Sequence, residues 1–321
     1  MAPRGAFCPV CRLSLSCLNG PAAVEWSDVA VPQVLFRREQ DRAGGMPASL
    51  FGYEVIERLG EGAASVIYAV RNRRDGSRYA LKHLILRSER DTRYLEQFRQ
   101  ELAVSRQFRH PALRRCYGMK TRRTVLLRPR EAALVMEFVE GTPLDQQQPQ
   151  SFRVIMRYFM QVAAALAALH YLKYVHCDVK PNNILVCPGG SIKLIDFGHA
   201  CRSGTVKKRI QGTPDFIAPE QVKLEPVTVR TDVFSFGATL YWALSGQRIP
   251  TLYTVGRSQR EVVAECRFPS PRQINDAVPQ ALSDLIMECL RLEPLRRPAD
   301  MEEVIRRLEA VAPGAGGAGA S

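Results

Sequence analysis

Short alternations of apolar and polar residues dominate the chain from residue 53 to residue 84. They predict three β-strands, over 53–59, 65–71 and 78–84, each rich in β-branched, aromatic or aliphatic side chains. Asp75-Gly76, between the last two segments, has the composition of a hairpin turn. A compact apolar run over 134–138 predicts a further strand, so this part of the chain is predicted to form a β-sheet.

Elsewhere the apolar spacing is that of helices. Four residues of the segment 92–108 recur every three or four positions: Leu95, Phe98, Leu102 and Ser105. This spacing predicts a helix that ends before His110-Pro111. Beyond the Gly/Pro break at 140–143, the clearest predicted helices span 152–172, 232–244, 280–290 and 301–310.

Strands first and helices second predict an α+β protein whose two lobes, 51–138 and 139–310, have different cores. Residues 1–50 lack clear periodicity, and Gly44-Gly45-Met46-Pro47 has the composition of a linker. We therefore expect 1–50 to be a partly disordered N-terminal extension. The glycine- and alanine-rich tail, 311–321, is predicted to be flexible.

Two apolar runs, 154–176 and 233–244, raise the question of a membrane span. The first carries Arg157, Gln161 and Lys173, and the second is shorter than the roughly 20 residues that cross a bilayer. Both are predicted to be buried helices. No sustained apolar region follows Met1, so we expect no secretory signal and a cytoplasmic location.

The net charge of +13 is concentrated in one part of the chain. Residues 71–130 hold 18 Lys and Arg against 5 Asp and Glu, which accounts for the whole excess. A basic field of this kind attracts acidic protein segments, nucleic acid or anionic lipid. The alternative is an arginine-rich face that is simply solvated.

Two motifs in the second half of the chain carry the candidate chemistry. The first is His176-Cys177-Asp178-Val179-Lys180-Pro181-Asn182-Asn183, and the second is Asp196-Phe197-Gly198. Asp178 is suited to hold a substrate hydroxyl, while Asn183 and Asp196 are hard oxygen ligands for the magnesium on ATP. The spacing is that required for phosphoryl transfer.

Upstream, a glycine-containing segment over 59–66 lies between two predicted strands, where small residues let backbone amides approach phosphates. By itself such a segment is usually only a turn. Lys82 follows on the next strand, where Ala80 and Leu81 favour an inward-facing lysine over a solvated one. A buried ammonium needs an anionic partner, and Glu101 is the candidate. The alternative for Glu101 is a surface carboxylate that pairs with nearby arginines.

Together these motifs resemble those of the protein kinase family, and the resemblance extends from about residue 51 to residue 308. It implies a bilobal fold in which 51–310 is the kinase domain, with Mg-ATP bound between the lobes. Lys180 and Gly212-Thr213-Pro214 are similar to those of serine/threonine-directed members. The segment 212–221 and the short second lobe most resemble bacterial Hanks-type kinases.

The resemblance also implies roles for individual residues. Asp178, Lys180 and Lys82 would be catalytic, and Asn183 and Asp196 would hold the metal. The implied ATP-binding residues are Leu59, Gly60, Glu61, Gly62, Ala63, Ala64, Ser65, Val66, Ala80, Lys82, Glu101, Met136, Glu137, Val139 and Leu185. Structural roles are implied for His176, Phe197, Gly198, Thr213, Glu220, Asp232 and Arg297. The implied cofactors are ATP and Mg²⁺, with Mn²⁺ as an alternative, and the implied partners are proteins carrying Ser or Thr, including the chain itself by autophosphorylation.

Two residues depart from the family pattern. Ser65 replaces the third glycine of the phosphate loop, and Cys177 replaces the arginine that precedes the catalytic aspartate. A thiol cannot pair with a phosphorylated activation segment, so we expect activation by another route. For Cys177 itself, an inert small side chain is favoured over a redox-sensitive thiol. These departures keep open a second hypothesis, a pseudokinase that regulates a partner.

The chain has nine cysteines, an odd number that favours reduced thiols over a disulfide framework. Cys8 and Cys11 have the spacing of zinc ligands, and Cys17 is a candidate third ligand. A closed structural site usually needs four, so the alternative is a leader with incidental cysteines.

Overall fold

The computed structural model describes residues 46–62, 64–147, 151–250 and 268–311, together with the backbone of two short strands between 251 and 267. The predicted zinc ligands Cys8, Cys11 and Cys17 lie outside the described residues, as do Ala63 and most of the predicted N-terminal extension and tail.

The chain forms two compact units. In the described residues, the N-terminal unit runs up to Glu140 and also takes in Ile195–Ala200. The C-terminal unit contains Gly141–Leu194 and the residues from Cys201 onward. One unit is built on a sheet and the other on helices, which confirms the predicted α+β class.

The N-terminal unit is a six-stranded antiparallel sheet with one long helix. Its strand order is β1-β2-β3-β4-β6-β5. The elements are β1 (Ser49–Leu50), β2 (Tyr53–Glu61), β3 (Ser65–Asn72), β4 (Arg78–Ile85), α1 (Thr92–Ser105), β5 (Cys116–Arg123) and β6 (Pro129–Glu137).

Strand β4 shows how the sheet directs its side chains. Successive residues of a strand point to opposite faces. Ala80 and Leu84 therefore pack with Phe98 of α1, whereas Leu81 packs in a separate cluster on the other face. Lys82 shares the parity of Ala80 and Leu84, so its side chain points to the face that α1 covers.

The predicted strands are confirmed, although their ends extend beyond the predictions and β6 begins at Pro129 rather than at residue 134. Strand β5 was missed. It lies at the edge of the sheet and reads Cys-Tyr-Gly-Met-Lys-Thr-Arg-Arg, so its solvated side hides the apolar alternation. Helix α1 ends at Ser105, earlier than predicted, because the Gln107 N–H donates to the Val104 carbonyl and the helical ladder stops there.

The C-terminal unit is mainly helical. Its strands are β7 (Thr142–Pro143), β8 (Tyr174–Val175), β9 (Ile184–Val186), β10 (Ile192–Leu194), β11 (Cys201–Arg202), β12 (Tyr253–Val255) and β13 (Arg260–Val262). Its helices are α2 (Phe152–Tyr171), α3 (Pro219–Lys223), α4 (Val229–Ser245), α5 (Pro271–Ile274), α6 (Gln280–Cys289) and α7 (Met301–Val311). Helix α2 packs against α4 and α7, and α6 also contacts both of these helices.

Helix α2 is long and apolar enough, by length and composition alone, to cross a bilayer. However, 72% of its most apolar window is buried inside the protein. A mostly buried helix of this kind is typical of a protein core, which confirms the prediction for the first apolar run.

Helix α4 begins at Val229 instead of residue 232 because Thr228 caps it: the Thr228 hydroxyl accepts a hydrogen bond from the Arg230 N–H at 3.3 Å. Gly237, in the middle of α4, lies against α6. A Cβ atom at this position would be 2.5 Å from the Cβ of Cys289, so the close approach of the two helices requires glycine.

A buried ion pair joins α3 to the segment before α7. Arg297 donates to both carboxylate oxygens of Glu220, at 2.8 and 2.9 Å, and both side chains are almost fully buried. The guanidinium also donates to the backbone carbonyls of Arg291, Leu292 and Arg230. All of these contacts lie within the C-terminal unit, so Arg297 ties four of its segments together.

We predict that Arg297→Ala lowers the free energy of unfolding by about 3–5 kcal/mol, because it leaves the Glu220 carboxylate buried and unpaired. Urea denaturation of the variant and the wild type measures this loss. The neighbouring Arg296 is a matched control, since its pair with Glu293 is 68% and 71% exposed. Arg296→Ala should stay within about 0.5 kcal/mol of the wild type; equal losses for both variants would contradict the assigned role.

Candidate active site

In the N-terminal unit the structure brings together Lys82, Glu101 and Asp196. The Lys82 ammonium lies 2.9 Å from Glu101 Oε2 and 3.2 Å from Asp196 Oδ1. Glu101 is fully buried, on the stripe of α1 that also carries Leu95 and Phe98. Both the inward-facing lysine and its expected glutamate partner are therefore present in the structure.

Sequence reasoning missed Arg114, which completes this charge cluster. Its guanidinium lies 3.1 Å from Glu101 Oε1, so Glu101 is held between two buried cations. Burial alone would lower the pKa of Lys82, but the charges of Asp196 and Glu101 outweigh it and raise the pKa above its usual value. The ammonium stays protonated at any physiological pH. Arg114 belongs to no sequence motif. It follows helix α1 in the chain, and only the fold brings it to Glu101.

The segment Ile195–Ala200 carries Asp196 in a left-handed backbone conformation, with φ 66°. Aspartate tolerates this region better than most residues because its short side chain bonds locally. Asp196 Oδ1 accepts a hydrogen bond from the Gly198 N–H at 3.2 Å. Burial would raise the pKa of Asp196, but Lys82, followed by His199 and Arg114, lowers it well below its usual range. The carboxylate is therefore ionised.

Helix α1 holds this segment in place through residues that sequence reasoning also missed. Gln100 donates to the Ala200 carbonyl at 2.8 Å, and Gln97 lies 3.0 Å from the His199 ring. Phe197 is buried, with its ring edge-on to Phe108 at 5.1 Å. One helix thus positions both Glu101 and the segment that carries Asp196.

The predicted phosphate loop is the turn between β2 and β3. The Gly62 N–H donates to the Ser65 carbonyl at 2.7 Å, which closes the turn. Leu59, Gly60 and Glu61 lie on β2, and Ser65 and Val66 lie on β3. A Cβ at Gly62 would be 3.0 Å from the Ser65 hydroxyl oxygen, so Ser65 limits the room at the tip. Ala64 packs against the cluster on the α1 side of the sheet.

The residues predicted to surround the adenine take different positions. Met136 on β6 is fully buried and faces Ala80 across the sheet, and Val139 is partly buried. The backbone N–H of Glu137 donates to the Arg115 carbonyl at 2.9 Å. This donor is used inside the N-terminal unit and is not offered to a ligand. Leu185, on β9, belongs to the C-terminal unit.

In the C-terminal unit a closed set of hydrogen bonds surrounds Asp178. Lys180 Nζ lies 3.0 Å from Asp178 Oδ2 and donates to the Thr213 hydroxyl at 2.7 Å. The Thr213 hydroxyl in turn donates to Asp178 Oδ1 at 3.0 Å. Asn183 donates to the carbonyl and to Oδ2 of Asp178 at 2.8 and 3.1 Å. Three predicted site residues therefore meet at the carboxylate of a fourth, Asp178.

Asp232, at the N-terminal end of α4, fixes the backbone that leads to Asp178. Its two carboxylate oxygens accept the backbone N–H groups of His176 at 2.7 Å and Cys177 at 2.8 Å. His170 lies 2.8 Å from the same carboxylate. Burial would raise the pKa of Asp232, but the bond from His170 and the nearby histidines lower it. The charge is retained and is fully hydrogen-bonded.

Cys177 has a left-handed backbone conformation, with φ 65°. Gln221 on α3, which sequence reasoning missed, donates to the Cys177 carbonyl at 2.9 Å and to the Gln211 carbonyl at 3.0 Å. Buried His176 accepts a hydrogen bond from the Asp178 N–H at 3.3 Å. The Cys177 carbonyl and the Asp178 N–H, on either side of this peptide bond, are thus both hydrogen-bonded.

The two predicted magnesium ligands lie in different units, and their free atoms fit the role. Both hydrogen bonds of Asn183 use its NH₂ group, so its amide oxygen remains for a ligand. Asp196 uses Oδ1 for Lys82 and Gly198, and Oδ2 takes part in neither contact. Hard oxygen atoms of this kind suit Mg²⁺. Across the described ranges, no three His, Cys, Asp or Glu side chains gather into a separate metal cluster.

Residues 53–307 match the protein kinase domain family, and the chain therefore belongs to the protein kinase family. A probable serine/threonine-protein kinase of Clostridium perfringens is 28% identical over 272 residues, which are 81% of this chain and 38% of that protein. Serine/threonine-protein kinase PknA of Mycobacterium tuberculosis is 32% identical over 206 residues, 61% of this chain and 47% of that protein. Death-associated protein kinase 2 of Mus musculus is 32% identical over 207 residues, 60% of this chain and 54% of that protein. The chain thus spans between two fifths and about half of these relatives.

We predict that Asp232→Asn destabilises the protein by about 2–4 kcal/mol, because an amide NH₂ group then faces a buried donor. The amide protons of His176 and Cys177 should exchange with solvent markedly faster than in the wild type, as measured by hydrogen exchange with mass spectrometry. Asp284→Asn, an exposed position on α6, serves as the control and should leave both quantities unchanged. Unchanged exchange at His176 and Cys177 in Asp232→Asn would disprove the anchoring role.

Proposed function

We propose that the chain is a serine/threonine protein kinase that transfers the γ-phosphoryl group of ATP to a protein hydroxyl. The observation that carries the proposal is the hydrogen-bonded set in which Lys180, Thr213 and Asn183 converge on Asp178. A carboxylate held by three side chains is a positioning device, and phosphoryl transfer depends on positioning more than on basicity. The names of the relatives in Clostridium and Mycobacterium support the same activity.

Asp178 orients the attacking hydroxyl and accepts its proton as the new bond to phosphorus forms. Lys180, at 3.0 Å, places a positive charge where the transferred phosphoryl group carries negative charge. Thr213 bridges these two side chains and so fixes the distance between them. A serine or threonine acceptor is favoured because the family's serine/threonine-directed members share Lys180 and Thr213.

Lys82 binds the α- and β-phosphates, and its position is set by Glu101, which Arg114 holds from the other side. Asn183 and Asp196 would hold Mg²⁺ or Mn²⁺, which would neutralise charge on the phosphates. Gly60 and Gly62, at the turn between β2 and β3, let the backbone approach the phosphates, while the Gly62 N–H itself donates to the Ser65 carbonyl.

Ala80, Met136 and Val139 of the N-terminal unit form apolar contacts to the base, and the resemblance to the family implies the same role for Leu185. Because the Glu137 N–H is engaged by Arg115, a hydrogen bond to the base from this region comes from Val139. Proteins carrying Ser or Thr are the substrates, and autophosphorylation is included in the proposal. The cytoplasmic location inferred from the sequence stays a prediction.

We expect purified wild-type protein to transfer radiolabelled phosphate from ATP to serine or threonine peptides, and not to a matched tyrosine peptide. Asp178→Ala should lower the transfer rate by about 100-fold or more, because the hydroxyl loses its orienting carboxylate. Nucleotide affinity, measured by calorimetry with Mg-ATP, should change little.

Asp276→Ala is the control for this experiment, because Asp276 is an exposed aspartate of the same unit. It should transfer phosphate at the wild-type rate. If the wild-type protein binds Mg-ATP but transfers no phosphate, the kinase proposal fails and the pseudokinase hypothesis takes its place. Equal rates in Asp178→Ala and the wild type would remove Asp178 from the mechanism.

We also propose that the hairpin between β5 and β6 contacts anionic lipid. Its tip exposes Val125, Leu126 and Leu127, which are 100%, 79% and 70% exposed. The turn is closed by hydrogen bonds between Thr124 and Arg128, so the three residues project as a fixed unit. The neighbouring basic residues are exposed as well: Arg122, Arg123, Arg128 and Arg130.

An apolar tip beside exposed arginines fits a membrane surface, where acyl chains accept the leucines and headgroup phosphates pair with the arginines. Nucleic acid is the weaker candidate, since bases stack on aromatic rings and this tip carries none. The charge excess of residues 71–130 supports attraction to an anionic surface.

We predict that the protein sediments with vesicles that contain phosphatidylserine and not with neutral phosphatidylcholine vesicles. The double variant Leu126→Ser/Leu127→Ser should weaken this binding by about tenfold or more. Leu295 is the control, because it is 82% exposed and stands next to an arginine in the other unit. If Leu295→Ser weakens binding equally, or if single-stranded DNA competes and the double variant binds normally, the lipid proposal fails.

A further inference from the structure

Two cysteine thiols face each other in the C-terminal unit, at a place the phosphoryl-transfer chemistry does not use. Strands β8 and β11 pair antiparallel, with Cys201 opposite Val175. Cys177 lies two residues beyond Val175, the last residue of β8, in a left-handed backbone conformation. The two sulfur atoms are 3.8 Å apart. Cys201 carried no motif in the sequence, so only the fold reveals the pair.

The two thiols differ in access and in acidity. Cys177 is 1% exposed, whereas Cys201 is partly exposed and can be reached from solvent. The contact with the Cys177 thiol, with a further contribution from the charge of Lys207, lowers the pKa of Cys201 despite its partial burial. The same contact and burial raise the pKa of Cys177. The accessible sulfur is therefore the better nucleophile and the buried one lies beside it as a resolving thiol.

We propose that Cys177 and Cys201 form a peroxide-reactive dithiol site that closes to a disulfide. The arrangement has the two parts that such a site needs: an accessible nucleophilic sulfur and a second thiol within 3.8 Å. The oxidant is hydrogen peroxide.

The chemistry balances in two steps. The Cys201 thiolate attacks one peroxide oxygen, the O–O bond breaks, and the departing hydroxide takes a proton to give water and a Cys201 sulfenic acid. The Cys177 sulfur then attacks the Cys201 sulfur, the S–O bond breaks, and the hydroxide that leaves takes the Cys177 proton as a second water. Two thiols and one peroxide become one disulfide and two waters.

Closing the bond brings the sulfurs from 3.8 Å to about 2 Å and therefore moves Cys177. The backbone of Cys177 is bonded through its N–H to Asp232 and through its carbonyl to Gln221. Asp178 is the next residue, so a shift of Cys177 displaces the carboxylate from Lys180 and Thr213. We expect oxidation to lower phosphoryl transfer; this consequence rests on the proposed function, whereas disulfide formation does not.

The competing explanation is a pair of inert core thiols, which the sequence favoured for Cys177. Val175 and Val227 do pack around the pair. However, the buried cysteines outside it show what inert thiols look like here: burial raises the pKa of Cys116 and of Cys289 to about 12. Cys201 differs from both, because it is partly exposed and its sulfur lies 3.8 Å from a second thiol.

The test treats the full 321-residue chain with hydrogen peroxide, alkylates the remaining thiols, and maps the peptides by mass spectrometry without reduction. We expect a Cys177–Cys201 cross-linked peptide, lighter by two hydrogen atoms, which disappears with dithiothreitol. Cys177→Ser should trap the Cys201 sulfenic acid, detected with dimedone. Cys187→Ser is the matched control, because Cys187 is a partly exposed cysteine of the same unit, and it should leave the cross-link intact.

Absence of the cross-link in oxidised wild-type protein, or a disulfide from Cys201 to a different cysteine, would overturn the proposal without any variant having to fold. Peroxide should also remove most of the transfer activity of the wild type and of Cys187→Ser, reversibly, and spare Cys201→Ser. If neither the wild type nor any variant transfers phosphate, the proposed function fails and the peptide map alone decides the dithiol.

Discussion

A buried carboxylate needs hydrogen-bond donors or a cation to offset the loss of water. In this protein, backbone N–H groups donate to the Asp232 carboxylate. By accepting bonds from His176 and Cys177, it fixes the path of the chain one residue before Asp178. The remaining contacts of Asp178 depend on this path, since Lys180 and Thr213 reach a carboxylate whose backbone is already held. Burying the Asp232 carboxylate costs desolvation free energy, which these hydrogen bonds must offset. Because few other backbone paths would place two N–H groups at the carboxylate, the interaction selects one path.

In the N-terminal unit, the charge of a buried carboxylate is balanced by cationic side chains instead. Glu101 is buried completely, and two cations share it. Arg114 neutralises the glutamate from one side, which leaves Lys82 able to interact with a second anion, Asp196. Removing either cation would leave excess negative charge in an apolar setting. The cluster therefore fixes the relation of β4, α1 and the segment around Asp196 more firmly than packing alone.

Much of this arrangement was accessible from sequence because it is encoded locally. The inward-facing Lys82 was predicted from its apolar neighbours on β4, and Glu101 was predicted as its partner, with a surface carboxylate as the alternative. Arg114, Gln221 and Cys201 were not accessible, since each acts through a contact distant in sequence and matches no motif. The polar edge strand β5 was missed for a related reason: one side is solvated, so its composition does not distinguish it from a loop. The bond from the Glu137 N–H to the Arg115 carbonyl was not predicted either, because it depends on how the chain enters β5.

Helices α4 and α6 meet where Gly237 has no side chain, and the missing atom would overlap Cys289. Side chains at positions 237 and 289 therefore compete for the same space, although the two residues are far apart in the chain. In related chains, growth at one position is compatible with the same helix separation only if the other shrinks. Such compensation would give the pair a signature of correlated substitution, with no chemical role for either residue.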